Sequence, residues 1–91
     1  MRKRKKGANA KTLALQKQTR DDVAKVMGND IATAGVSQAH VAAHADTSES
    51  GLSRILHGTA NPSINLLAQI FESVGKRMRI VTEDIDGERK K

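Results

Sequence analysis

The sequence predicts a mostly α protein: a small bundle of four to five helices with one short C-terminal β-strand. Three observations carry that prediction. Apolar residues recur at spacings of three and four through the middle of the chain, which is the period of a helix face. Ser and Thr precede those runs and Gly follows them, the expected starts and stops of helices. Over residues 76–82 the period shifts to two, as in a strand. With 91 residues there is room for one compact core and little more.

Taken in order, the elements follow from local chemistry. Residues 1–18 read as a basic arm, largely disordered, in which 11–18 is a weak helix start. Thr19-Arg20-Asp21-Asp22 has the form of a capping box that opens the folded domain, 19–75. Val23, Met27, Ile31 and Ala34 form one apolar face, and Gly35 stops that helix. Ser37 caps a second helix, about 38–45, with Val41, Ala42 and Ala45 inward. Asp46-Thr47-Ser48 breaks it, and a third helix over about 49–57 turns Leu52, Ile55 and Leu56 to the core before Gly58 ends it.

Thr59-Ala60-Asn61-Pro62 is a loop, because the residue before proline avoids helical angles. Ser63 caps a fourth helix with Ile64, Leu67, Ile70, Phe71 and Val74 as its stripe, and Gly75 ends it. Residues 76–82 form the strand, and 83–91 a flexible charged tail. A lone strand leaves its backbone groups unpaired. Its simplest partner is the same strand of a second copy across a two-fold axis, through Arg77, Met78, Arg79, Ile80 and Val81. The alternative is an extended tail lying on its own body.

Charge is unevenly placed. Residues 1–20 carry eight basic residues (Arg2, Lys3, Arg4, Lys5, Lys6, Lys11, Lys17, Arg20) and no acidic one. The remaining eight basic and ten acidic residues leave the rest of the chain at −2, so the arm accounts for the whole +6. A like-charge block of this kind suits a polyanion, and phosphate backbones are the obvious one. A solubilising tail is the plainer reading.

Several function classes are disfavoured. The absence of cysteine removes disulfide scaffolds, thiolate zinc sites and cysteine nucleophiles. No apolar run approaches the ~20 residues of a membrane span, and the basic start lacks the apolar stretch of a signal peptide. His40 and His44 have the i, i+4 spacing of a zinc pair, but Val41 stands where a metalloprotease needs Glu, and no third ligand is evident. No nucleophile elbow and no phosphate-binding Gly loop is present. Neither catalysis nor a cofactor is expected.

Two short helices separated by a three-residue break, over 37–58, have the geometry of a helix-turn-helix. An ordinary helical hairpin has the same pattern. The matched residues, in register, are Ser37-Gln38, Val41-Ala42, Ser53, Ile55, Gly58 and Asn61-Pro62-Ser63-Ile64. In these the chain resembles the Cro/lambda-repressor-type (XRE) helix-turn-helix family over 37–75, and more loosely over 19–36. The ending Val74-Gly75-Lys76-Arg77-Met78-Arg79-Ile80-Val81 is similar to that of HigA- and HipB-type antitoxins. There are departures: Asp46 holds a turn position commonly Gly, Glu49 one that is often Gln, and Leu56 one usually Glu. Asp tolerates left-handed angles, so the turn survives. Glu49 either accepts from cytosine in the groove or serves the helix start.

The resemblance implies a sequence-specific regulator of transcription that binds double-stranded DNA as a homodimer, a repressor or an autoregulatory antitoxin. Gln38 would clamp a phosphate. Ser48, Glu49, Ser50, Gly51 and Arg54 would meet the major groove, with Ser53 either there or at the helix contact. Thr59 and Asn61 would approach the backbone, and Arg2, Lys3, Arg4, Lys5 and Lys6 would follow phosphates or a minor groove. A cytoplasmic, nucleoid-associated setting in a prokaryote or phage goes with this. The alternative is an interaction module that neutralises a toxin or other partner, with DNA binding secondary.

Overall fold

The computed structural model describes residues 9–85, which form four helices: α1 (Ala10–Ala34), α2 (Gln38–His44), α3 (Glu49–Leu56) and α4 (Ile64–Glu72). Each starts on a polar side chain that accepts a backbone N–H of the first turn. Asn9 accepts from Thr12, Ser37 from His40, Ser48 from Gly51 and Ser63 from Leu66, at 2.9–3.0 Å. Ser37 and Ser63 cap where the sequence places them, and Ser48, read as part of a break, caps α3 as well.

α1 differs from expectation. It is one helix of 25 residues, so residues 10–18 belong to it and not to a disordered arm. Thr19 lies in its interior, and its hydroxyl donates to the Leu15 carbonyl at 3.0 Å instead of capping a new helix. The segment is rich in Ala, Leu, Lys and Gln, all strong helix formers, which propagate the helix upstream without a buried face. Residues 1–8 and 86–91, which include the Arg2–Lys6 cluster and most of the charged tail, lie outside the described residues.

The core is built from Met27 and Ile31 of α1, Val41, Ala42 and Ala45 around α2, Leu52 and Ile55 of α3, and Leu67, Ile70 and Phe71 of α4. α3 packs on both α1 and α2, and α2 also packs on α4. Two residues assigned inward are not buried. Ala34 is exposed in the last turn of α1, and Ile64 is 68% exposed because it occupies the first position of α4, before the helix reaches the core. Val23, Leu56 and Val74 are half-buried against the core.

The helix ends are closed by the backbone. After α2, Asp46 adopts φ 59°, the only non-glycine residue with positive φ among the described residues. Its N–H donates to Ala43 at 3.3 Å, and the next one, Thr47, to Ala42 at 2.9 Å, a Schellman closure. Gly58, φ 74°, closes α3 in the same way through Ile55 and Arg54. Gly58 is also where α1 docks. The Arg20 guanidinium donates through Nε to the Gly58 carbonyl at 3.1 Å. A Cβ at position 58 would stand 2.7 Å from Asp21 Oδ1. Arg20 therefore serves a long-range contact, and Asp21 pairs with Lys17 one turn back at 2.7 Å, so neither belongs to a capping box.

Beyond Gly75 the chain runs as an irregular extended segment. The expected strand over 76–82 is not formed within the protomer: among the described residues the sole β-bridge position is Ile85. Among the described residues no backbone–backbone hydrogen bond involves 77–84.

Candidate nucleic-acid interface

α3 has two faces of sharply different chemistry. At about 100° per residue, Glu49, Ser50, Ser53, Arg54 and His57 fall within one arc, and Leu52, Ile55 and Leu56 fall on the opposite one. Burial follows that division. Leu52 and Ile55 are buried, Leu56 and Ser53 half-buried, and Glu49, Ser50, Arg54 and His57 exposed. The apolar arc holds the helix on α1 and α2, and the polar arc points to solvent.

The start of α3 is small and highly constrained. Ser48 Oγ accepts from the Gly51 N–H at 2.9 Å and lies 3.2 Å from Ser50 Oγ, with which it shares a hydroxyl hydrogen bond. Gly51 has an internal reason to be small. A Cβ there would lie 3.0 Å from Ser48 Oγ and 3.1 Å from Thr47 Oγ1, crowding the cap itself. Glu49 follows Ser48 in the first turn, where a carboxylate sits favourably beside the helix dipole. Its side chain makes no hydrogen bond or ion pair among the described residues, so it is free to meet a ligand.

The other end of α3 is fastened by groups that are already engaged. The Arg54 carbonyl accepts from both the backbone N–H and the hydroxyl of Thr59, at 3.0 and 3.1 Å. With its hydroxyl proton used there, Thr59 has none to donate to a phosphate in this conformation. The His57 Nδ1 lies 2.7 Å from the Ser53 carbonyl, and since a carbonyl only accepts, this contact places a proton on Nδ1. Ser53 Oγ is 3.4 Å from the same nitrogen. The Arg54 side chain is exposed, and Asn61 is exposed in the loop before α4. Gln38 is exposed at the first position of α2.

The residues assigned to dimerisation divide by exposure. Arg77 and Arg79 are exposed, Met78 is half-buried against the core, and Ile80 and Val81 are 72% and 79% exposed.

Sequence reasoning passed over two residues near this surface. His57 continues the 49, 53, 57 series of the outer arc, and the four-residue period alone marks it. Arg20, which steadies the loop after α3, lies 38 positions away and left no local signal. His44 also has a role besides metal binding: its Nε2 stands 3.7 Å from Glu72 Oε1 of α4. Among the described residues no group of three or more His, Cys, Asp or Glu side chains is arranged to hold a metal ion. No helix among them is long and apolar enough to cross a membrane.

No protein-family model matches the chain, and neither a curated protein nor a solved structure matches it.

Proposed function

We propose that this protein is a sequence-specific double-stranded DNA-binding regulator that acts by binding, not catalysis. In this reading α2 and α3 form a helix-turn-helix of the XRE type, with Asp46 as its turn residue. The single observation that carries the reading is the outer arc of α3: a small polar tip at Ser48–Gly51 followed by an exposed, unpaired Arg54. Such a helix fits the major groove, whose base edges offer hydrogen-bonding partners to Ser, Glu and Arg. Gln38 and Asn61 would hold the flanking phosphates, and the cluster Arg2–Lys6 would add affinity without sequence choice.

In the homodimer, the two α3 helices read half-sites ~34 Å apart, one turn of DNA. The test is selection of bound duplexes from a random pool, followed by Arg54→Ala on the winning site. The variant is expected to lose about 1–3 kcal/mol of preference for that site while keeping its affinity for random duplex. Equal loss on both would remove the base-reading role. Deleting residues 2–6 is expected to flatten the dependence of log K on log salt by ~0.9 for each phosphate left without its cation. An unchanged slope would take the leader out of the interface.

A toxin-neutralising module is the second reading. It draws on an apolar groove beside α1, and a DNA selection that enriches no sequence would favour it.

A further inference from the structure

The far end of α3 carries a histidine with one nitrogen already committed. His57 is exposed and follows Glu49 and Ser53 along the outer arc at four-residue spacing. Its Nδ1 lies 2.7 Å from the Ser53 carbonyl and holds a proton there. A neutral imidazole has a single N–H, so the proton spent on Ser53 leaves Nε2 as an acceptor only. A protonated ring keeps the Ser53 contact and donates from Nε2 as well.

His57 stands eight residues beyond Glu49, about 12 Å along the helix. The major groove is itself about 12 Å wide. With the Ser48–Gly51 tip among base edges, this end of α3 reaches the wall of the groove, where the phosphates stand. A phosphate oxygen is anionic and only accepts hydrogen bonds. The neutral ring would present a lone pair to it, and the protonated ring a charged N–H.

The charged and titratable groups around this end come from each neighbouring element. On α3 itself Arg54 is one turn back and Glu49 two turns back. α1 brings Arg20 and Asp21 to Gly58, and Asp21 is paired with Lys17 at 2.7 Å. α2 carries His40 and His44, and His44 stands 3.7 Å from Glu72 of α4. The loop 59–63 carries no charged residue. Among the described residues the His57 ring forms no ion pair, so a bound phosphate supplies the anion that a protonated ring lacks there.

We propose that His57 is a proton-linked phosphate contact: duplex DNA binds with uptake of a proton at His57 Nε2 of each protomer, so that affinity rises as pH falls. The inference rests on the DNA-binding reading and adds its regulation by pH. The complex holds the proton more tightly than the free chain does, and by linkage the contact is lost as pH rises.

The test titrates the full chain against a random-sequence duplex at fixed salt, by fluorescence anisotropy, from about pH 8 to about pH 5.5, the span over which histidine changes charge. Wild-type affinity is expected to rise by roughly tenfold more than that of His57→Gln, whose neutral amide donates equally at every pH. His57→Lys, cationic throughout, should outbind wild type by about tenfold at the upper pH and lose that advantage at the lower one. Whatever Glu49, His40 and His44 add is common to all three chains and cancels. Nitrogen NMR of the free wild-type chain at the upper pH should show the His57 proton on Nδ1. Equal pH dependence in wild type and His57→Gln, no advantage for His57→Lys at the upper pH, or a neutral ring protonated on Nε2 would overturn the inference and leave DNA binding standing. A wild-type chain that binds the duplex at neither pH would remove the DNA-binding reading, and this inference with it.

Discussion

In the helical body, each helix opens on a side-chain cap, and ten buried apolar residues drawn from all four helices form one core. In residues 77–84 no backbone–backbone hydrogen bond forms among the described residues, and Ile80 and Val81 stand mostly in water. The two regions carry the same kinds of residue. What separates them is whether the chain itself supplies the complementary surface. The body is complete in one copy, and its burial and backbone needs are met within 60 or so residues. The segment after Gly75 has the alternation of a strand and, over 76–84, no strand beside it among the described residues. Ile80 and Val81 stay uncovered among the described residues, which is why the proposed dimer is placed there and not on an outer helix face.

Three substitutions test that contrast. The largest effect is expected from Leu52→Ala. Leu52 is fully buried where α3 meets α1 and α2, and its truncation should cost about 2–5 kcal/mol in urea unfolding. A loss under 1 kcal/mol would mean the body is not one packed unit.

Gly58→Ala tests the joint where α1 docks on the end of α3. Positive φ strains any side chain there, at about 1–2 kcal/mol. The nearby Asp21 carboxylate should swing aside at little further cost, because only its oxygen comes close. Adding Asp21→Ala should therefore recover only part of the loss, as measured by the same unfolding curves.

The smallest effect on the protomer is expected from Ile80→Ser. Measured where the protein is dilute enough to be monomeric, stability should move by less than about 0.5 kcal/mol. At high concentration, the wild-type protein should gain Tm with concentration and the variant should not. A several-degree fall in the Tm of the dilute variant would show that the segment belongs to the body after all.

Much of the body was legible because its signals are local. Ser37 and Ser63 each precede a segment with helical apolar spacing and cap the helix that follows. Gly58 ends α3 where the periodic pattern stops. Asp46, read as a tolerable stand-in for glycine, takes the left-handed angle that its turn requires. The start of α1 misled for a physical reason. Thr19-Arg20-Asp21-Asp22 satisfies the local grammar of a cap, yet the helix already continues through it from Asn9, carried by good helix formers, the Asn9 cap and the Lys17–Asp21 pair. A dense positive charge nearby also argues for an extended chain, and sequence pattern has no means of weighing that against a run of good helix formers. The α3 surface was legible as a set of small polar residues. Its internal engagements, such as Thr59 holding the Arg54 carbonyl, depend on atomic placement that periodicity does not encode.

The unbroken course of α1 has a mechanical consequence. Arg20 fixes the helix to the loop after α3, and from there ten residues of rigid rod run back to Ala10, about 15 Å at 1.5 Å per residue. The described chain thus begins at the tip of a stiff boom, not on the globule. Its compass bearing is set by helical phase, so one residue inserted between Ala10 and Thr19 would swing that origin by about 100° around the rod while leaving the core packing untouched.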